Sequence, residues 1–186
     1  FYSIFMKLIA TLGTSPGGIF ETYTNLINGN YEAENPEKIE ISEVYIIRTK
    51  DKDVEFAWKL VKALFACMKV PAQIADIPVN ISDITSKSDY EQFRKAVFEK
   101  ISKGDFVDFT GGRKAMSVAA AIGALKREAN LVTTIIPQQE YNRIQQKIKE
   151  LKEKEDEIER AGNGDCRIAE ELKEIIAKNA KTILLS

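Results

Sequence analysis

Asp108-Phe109-Thr110-Gly111-Gly112-Arg113-Lys114-Ala115-Met116-Ser117 decides how this chain is read. An apolar strand, expected over residues 105–109, runs into it, and an alanine-rich helix, expected over 115–126, leaves it. A strand that ends in Gly-Gly and opens a helix turns backbone N–H groups outward at the positive end of the helix dipole. Arg113 and Lys114 add two full charges at that point. The combination suits a phosphate group. Gly111 and Gly112 would also serve a tight strand-to-helix turn with no ligand, and the sequence leaves both readings open.

Working outward, the same arrangement recurs at the start. Residues 7–12 read as a buried strand, Gly13-Thr14-Ser15-Pro16-Gly17-Gly18 as a loop, and 19–27 as a helix. This is the form of the first βα turn of a Rossmann-like fold, where ligands gather. Neither a GxGxxG fingerprint nor a GxxxxGK[ST] loop is present. Thr14 and Ser15 would stand at the carboxyl end of the first strand, either with free hydroxyls or engaged in turn formation and helix capping. Further strands are expected over 43–47, 73–77 and 130–136, and helices over 53–68 and 89–102. Arg48 closes the second strand. The alternation predicts an α/β fold with a mostly parallel sheet covered by helices on both faces.

Residues 140–160 differ in kind. Tyr141, Ile144, Ile148, Leu151 and Ile158 form a thin apolar stripe among many Lys and Glu. The pattern predicts a solvated surface helix held by i,i+4 ion pairs, with a lid or a dimer arm as alternatives. Asp165 is expected to cap a last helix over 168–180, before a closing strand over 182–185. The whole chain, 1–186, is read as one domain with a helical insert at about 138–162. Met6 is expected to be the natural start, with residues 1–5 preceding it.

The 186 residues carry a formal net charge of -1, which argues against coating of long nucleic acid by bulk charge. No apolar run is long enough to span a membrane, and a cytoplasmic protein is expected. Cys67 and Cys166 are expected to be a reduced pair, with a disulfide between them as the alternative. The chain has no histidine. That excludes Ser-His-Asp and Cys-His catalysis and histidine-bearing zinc sites, and neither a metal nor a cofactor is expected. Any catalysis must use hydroxyls, Lys, Arg, carboxylates or the backbone.

Leu12-Gly13-Thr14-Ser15-Pro16 after the first strand, together with the stretch from Asp108 to Ser117 after the fourth, resembles the CARF domains of type III CRISPR systems. The resemblance covers essentially the whole chain. It implies a Rossmann-like homodimer that binds cyclic oligoadenylate across its two-fold axis. No length remains for an attached effector domain, so the chain is most similar to the CRISPR ring nucleases. These convert cyclic tetra-adenylate to linear di-adenylate and end the antiviral signal. The implied chemistry is attack of a ribose 2′-OH on the adjacent phosphate, without metal, giving a 2′,3′-cyclic phosphate. The resemblance implies Ser15 at the ribose or scissile phosphate. It also implies Thr14, Gly111, Gly112, Arg113 and Lys114 around the phosphates. A C-terminal lysine is implied as well, taken here as Lys173 from among Lys173, Lys178 and Lys181. Tyr141 is a candidate for stacking on adenine and Arg48 for a further phosphate. Two alternatives remain: a CARF sensor that binds the ring without cutting it, and a metabolic nucleotide-binding domain. Arg48, standing where such a domain would carry an acidic residue, counts against the second.

Overall fold

In a computed structural model, which describes residues 5–186, six strands form one sheet in the order β3-β2-β1-β4-β5-β6. The strands are β1 (Phe5–Thr11), β2 (Glu40–Arg48), β3 (Gln73–Pro78), β4 (Phe106–Asp108), β5 (Asn130–Ile135) and β6 (Lys181–Leu184). The first five are parallel; β6 runs antiparallel to β5. This is the doubly wound order, in which the chain reverses direction between β1 and β4 and leaves a crevice at their carboxyl ends. The expectation about residues 1–5 falls largely on residues outside those described.

Side chains alternate across β1, so Leu8, Ala10 and Leu12 enter one core and Ile9 the other. On the first face lie α1 (Ile19–Asn28), α2 (Lys52–Cys67) and the helices that follow β5. On the second lie α3 (Lys87–Lys100) and α4 (Lys114–Lys126), through Phe93, Val97, Met116, Ala119 and Ala120. The small residues of α4 let it lie close to α3: a Cβ on Gly123 would come within 2.9 Å of Ile101, which closes α3.

The segment after β5 departs from expectation. It is α5 (Gln138–Leu151), a single 3₁₀ turn (Lys152–Lys154) and α6 (Glu155–Gly162), where one surface helix was expected. Ile144, Ile148, Leu151, Ile158 and Ala161 are buried in the first core, so the thin stripe is a packing face and only its flanks are solvated. Lys59 of α2 reaches Glu155 and Glu159 of α6. The last helix is also shorter than expected: α7 (Ala169–Lys173) stops after five residues, and Asp165 caps nothing but the Arg167 N–H.

Packing of α6 on α2 overturns the expectation of reduced cysteines. Cys67, at the end of α2, and Cys166, just beyond α6, form a disulfide with Cα atoms 5.5 Å apart. Their separation of 99 residues hides this from any local reading.

Candidate functional site

The loops after β1 and β4 meet above the crevice, backbone against backbone. A Cβ on Gly13 would lie 2.7 Å from the Gly112 nitrogen, so this contact requires glycine. Gly112 has φ +95°, and a side chain there would also strike Met116. The Thr11 hydroxyl donates to the Gly111 carbonyl at 2.7 Å and ties the two loops together. Below the turn, Asp108 Oδ1 accepts from both the Thr110 N–H and the Thr110 hydroxyl. The Thr110 oxygen in turn accepts the Thr134 N–H of β5 at 2.7 Å. Thr110 is thereby fixed on both sides, and Gly111 and Gly112 have one way to lie.

Above this platform is an open cleft of about 480 Å³. Gly13, Thr14, Ser15 and Gly17 line it from the first loop, and Thr110, Gly111, Gly112 and Arg113 from the second. Of the helices that leave these loops, α1 follows Gly18, whose N–H, like that of Glu21, is held by the Glu21 carboxylate. In the same way α2 is capped by Asp51 and α3 by Ser86. No side chain caps α4, so its first backbone donors stay open at the cleft, the usual makings of an anion site. Ser15 does not cap α1; its Oγ accepts the Gly17 N–H at 3.2 Å and its own hydrogen remains available to donate. Arg113 extends from the rim, 74% exposed, and pairs with Asp83 at 3.0 Å. An ion pair so exposed holds weakly, and a phosphate can take its place. Tyr141, from the first turn of α5, also lines the cleft and is 45% exposed.

Lys114 occupies the exposed first turn of α4 but does not line the cleft. Arg48 is not brought to it. Its guanidinium makes a two-pronged pair with Asp76 of β3, at 2.7 and 2.9 Å, and is 6% exposed. Neighbouring strands place those two charges side by side, and burial makes the pair hard to break. Lys173 is also elsewhere, on α7 with its ammonium 3.0 Å from Glu170, and Lys181 pairs with Glu32. The segment bearing Lys178 is the one pinned near the cleft. The Ala177 N–H is held by Glu21 of α1, and the Lys178 N–H by Glu140, next to Tyr141. Hydrogen bonds from Arg143, then from the Lys178 backbone, lower the Glu140 carboxyl to about 2, so this anchor is ionised throughout the neutral range.

The sequence reading missed Thr49, Asp51, Asp53, Val54, Ser82, Asp83, Thr134 and Ile136, which also line it. They lie at or just beyond the carboxyl ends of β2, β3 and β5, and a doubly wound order brings those ends toward the crevice at the reversal point. That order was the signal that could have named them.

Fold and site together define a class: a doubly wound α/β protein with a polar cleft, floored by two glycine-bearing loops, at the reversal point of its sheet. The comparisons with known proteins place it further. Residues 33–177 match the family of the CRISPR-associated protein NE0113, and the chain belongs to that family. It is also 40% identical, over 96% of its length and 97% of the relative's, to the CRISPR system ring nuclease SSO2081 of Saccharolobus solfataricus. The kinship expected from the two glycine-bearing motifs therefore holds.

Proposed function

We infer that this protein is a CRISPR ring nuclease. It binds cyclic oligoadenylate, cyclic tetra-adenylate in the first place, and cleaves it in the cytoplasm to linear di-adenylate ending in a 2′,3′-cyclic phosphate. By removing the messenger it switches off type III CRISPR signalling. The observation that carries the reading is the convergence of two glycine-bearing loops, the uncapped start of α4 and Arg113 on one cleft. It gains weight from the near full-length similarity to a protein named as a ring nuclease.

The chemistry asks little of the side chains. The 2′-OH, phosphorus and leaving oxygen must be held in line, and charge gathering on the phosphorane must be met by donors already in place. The Gly111 and Gly112 backbone and Arg113 are assigned to the phosphates, and Thr14 and Ser15 to the ribose and scissile phosphate; Lys114, outside the cleft lining, is assigned only to a phosphate that reaches past the rim. Tyr141 is assigned to an adenine face. Arg48, held by Asp76, drops out of the assignment, and the lysine role passes from Lys173 to Lys178. A cleft of about 480 Å³ is of the size that takes one small molecule, roughly 300–1,000 Å³, and is small for a four-nucleotide ring. The ring is therefore shared by two copies. A second copy has a place to dock: Val118 and Leu125 of α4 are exposed large apolar side chains on the helix that begins at the cleft. Residues 1–186 would form one domain in each copy, with about 138–162 as its helical insert.

The test is incubation with labelled cyclic tetra-adenylate in EDTA, with the products separated by chromatography and the protein's mass followed by sedimentation. Linear di-adenylate with a cyclic phosphate, made by a dimer, is expected. An intact ring bound tightly would make the protein a sensor, and a requirement for metal would overturn the mechanism. Ser15→Ala should keep ring affinity within about tenfold, roughly 1.4 kcal/mol, while cleavage falls far more. Lys178→Ala should slow cleavage where Lys173→Ala does not.

A further inference from the structure

Beneath the Thr110-Gly111-Gly112 turn lies an acid that the chemistry above does not use. Asp108, on β4 between Ala10 of β1 and Val132 of β5, is wholly buried. Its two oxygens are treated differently. Oδ1 accepts twice from Thr110, while Oδ2 is buried without a hydrogen bond. The Thr22 hydroxyl of α1 stands close enough to favour the ionised form but is engaged with Thr134. The nearest acid is also buried: Glu21 of α1, which accepts the Ala177 N–H and which burial first, and the charge of Asp108 last, hold above the ordinary carboxylate range. The neutral neighbours are Thr110 on the loop, Thr22 on α1 and Thr134 on β5. The cleft above contributes Arg113, Asp83, Asp51, Asp53 and Tyr141.

A run of hydroxyls leads away from this acid, Thr22 to Thr134 to Thr182, and in each link either oxygen can be the donor. The run can therefore reverse. When Asp108 is ionised, hydroxyl hydrogens can point toward it; when Oδ2 carries a proton, they can point away and Thr22 can accept. Oδ1 stays an acceptor in both states, so the turn that builds the anion site survives the change.

We propose that Asp108 is a positioning residue that takes up a proton on Oδ2 when a polyanion occupies the cleft, so that binding and proton uptake are coupled. The proposal rests on the reading of the cleft as a polyanion site. An ionised acid directly under a bound phosphate repels it through a medium that screens poorly, and a neutral one does not. Burial already lifts this carboxyl to about 6, which places the exchange within the working range. The chain has no histidine to mask the effect, and phosphodiesters, Lys and Arg keep their charge between pH 5.5 and about 8.

The experiment is equilibrium binding of cyclic tetra-adenylate to the full chain from about pH 5.5 to 8, with inorganic trimetaphosphate, a ring of phosphates whose charge is constant over that range, as a second probe. The wild-type dissociation constant should rise about fivefold or more across that range, and that of Asp108→Asn should change by less than about twofold. Glu21→Gln should keep the wild-type slope. In parallel, the Thr110 amide resonance of the free wild-type protein reports Asp108 directly and should shift with a midpoint near 6. A flat wild-type profile, a slope that survives in Asp108→Asn, or a Thr110 midpoint in the ordinary carboxylate range each overturns the proposal. If Asp108→Asn does not fold, the wild-type slope and the Thr110 titration still decide. Should the adenylate ring fail to bind while trimetaphosphate binds with the expected slope, the ring reading falls and the proposal stands. If neither binds at any pH, both fall.

Discussion

At the scale of single residues, the acid under the turn costs stability for the sake of the site. Burial raises the Asp108 carboxyl from 3.8 to about 6, against the lowering effect of its hydrogen bonds with Thr110. A carboxyl whose value is higher folded than unfolded stabilises the fold while both states are protonated. That contribution disappears as pH rises through the folded value. The loss therefore runs from about pH 4 to a little above 6 and amounts to about 3 kcal/mol. Denaturant unfolding should find Asp108→Asn more stable than wild type at pH 7.5, with the gap closing toward pH 4.5. A gap that does not change with pH would mean that Asp108 titrates normally. Residues such as this resist a reading from sequence. Asp108 stands in the quoted stretch, but only the fold shows that one of its oxygens has no partner. Arg48 was misjudged for the same reason, because its partner Asp76 is 28 residues away on the neighbouring strand.

At the scale of elements, the two glycine-bearing turns were legible and their union was not. Strand, loop and helix follow from local pattern, and both loops were recognised as sites where ligands gather. That they touch depends on β1 and β4 being neighbours, which periodicity does not state. Gly13→Ala tests the contact. Its methyl would meet backbone, the Gly112 nitrogen at 2.7 Å, and backbone cannot rotate aside. Overpacking of this kind costs about 1–3 kcal/mol, and here the strain falls on the loop that carries Gly111 and Gly112. Calorimetry should show the lower melting temperature, and ring binding should weaken more than tenfold. Unchanged binding would mean that the contact of the two loops is not what shapes the cleft. The helices after β5 were less legible. Their apolar stripe is thin because α5 and α6 each lay one narrow face on the first core, and a thin stripe among Lys and Glu also describes a solvated helix.

At the scale of the whole molecule, long-range closure is where the sequence was silent. The Cys67–Cys166 disulfide spans 99 residues and fastens the loop after α6 to the end of α2. In the chain-entropy view, closing a loop of that length contributes about 4–5 kcal/mol, close to the largest single contribution available to a domain of this size. Reduction, or Cys166→Ser, should lower the unfolding midpoint markedly while the cleft, on the far side of α2's capped start, keeps its affinity for the ring. Loss of affinity before loss of fold would show that the α2–α6 clamp also sets the cleft. The sheet order, the antiparallel last strand and the pairing of Arg48 belong to this same scale. Each is decided by which segments come together, and none by the residues next in sequence.

The strand β6 has a consequence for the order of events in the life of the chain. Its Thr182 closes the hydroxyl run that ends beneath the cleft, and its neighbour segment supplies the Ala177 N–H that holds Glu21. Thr182 is made after β1 to β5 and the helices between them. The floor of the cleft cannot be completed while Thr182 is still inside the ribosome, however early β1 to β4 have assembled. A nascent chain thus carries both glycine-bearing turns before it can hold them in place. Competence to bind should be gained only once β6 has joined β5, and on refolding it should return after the helical signal.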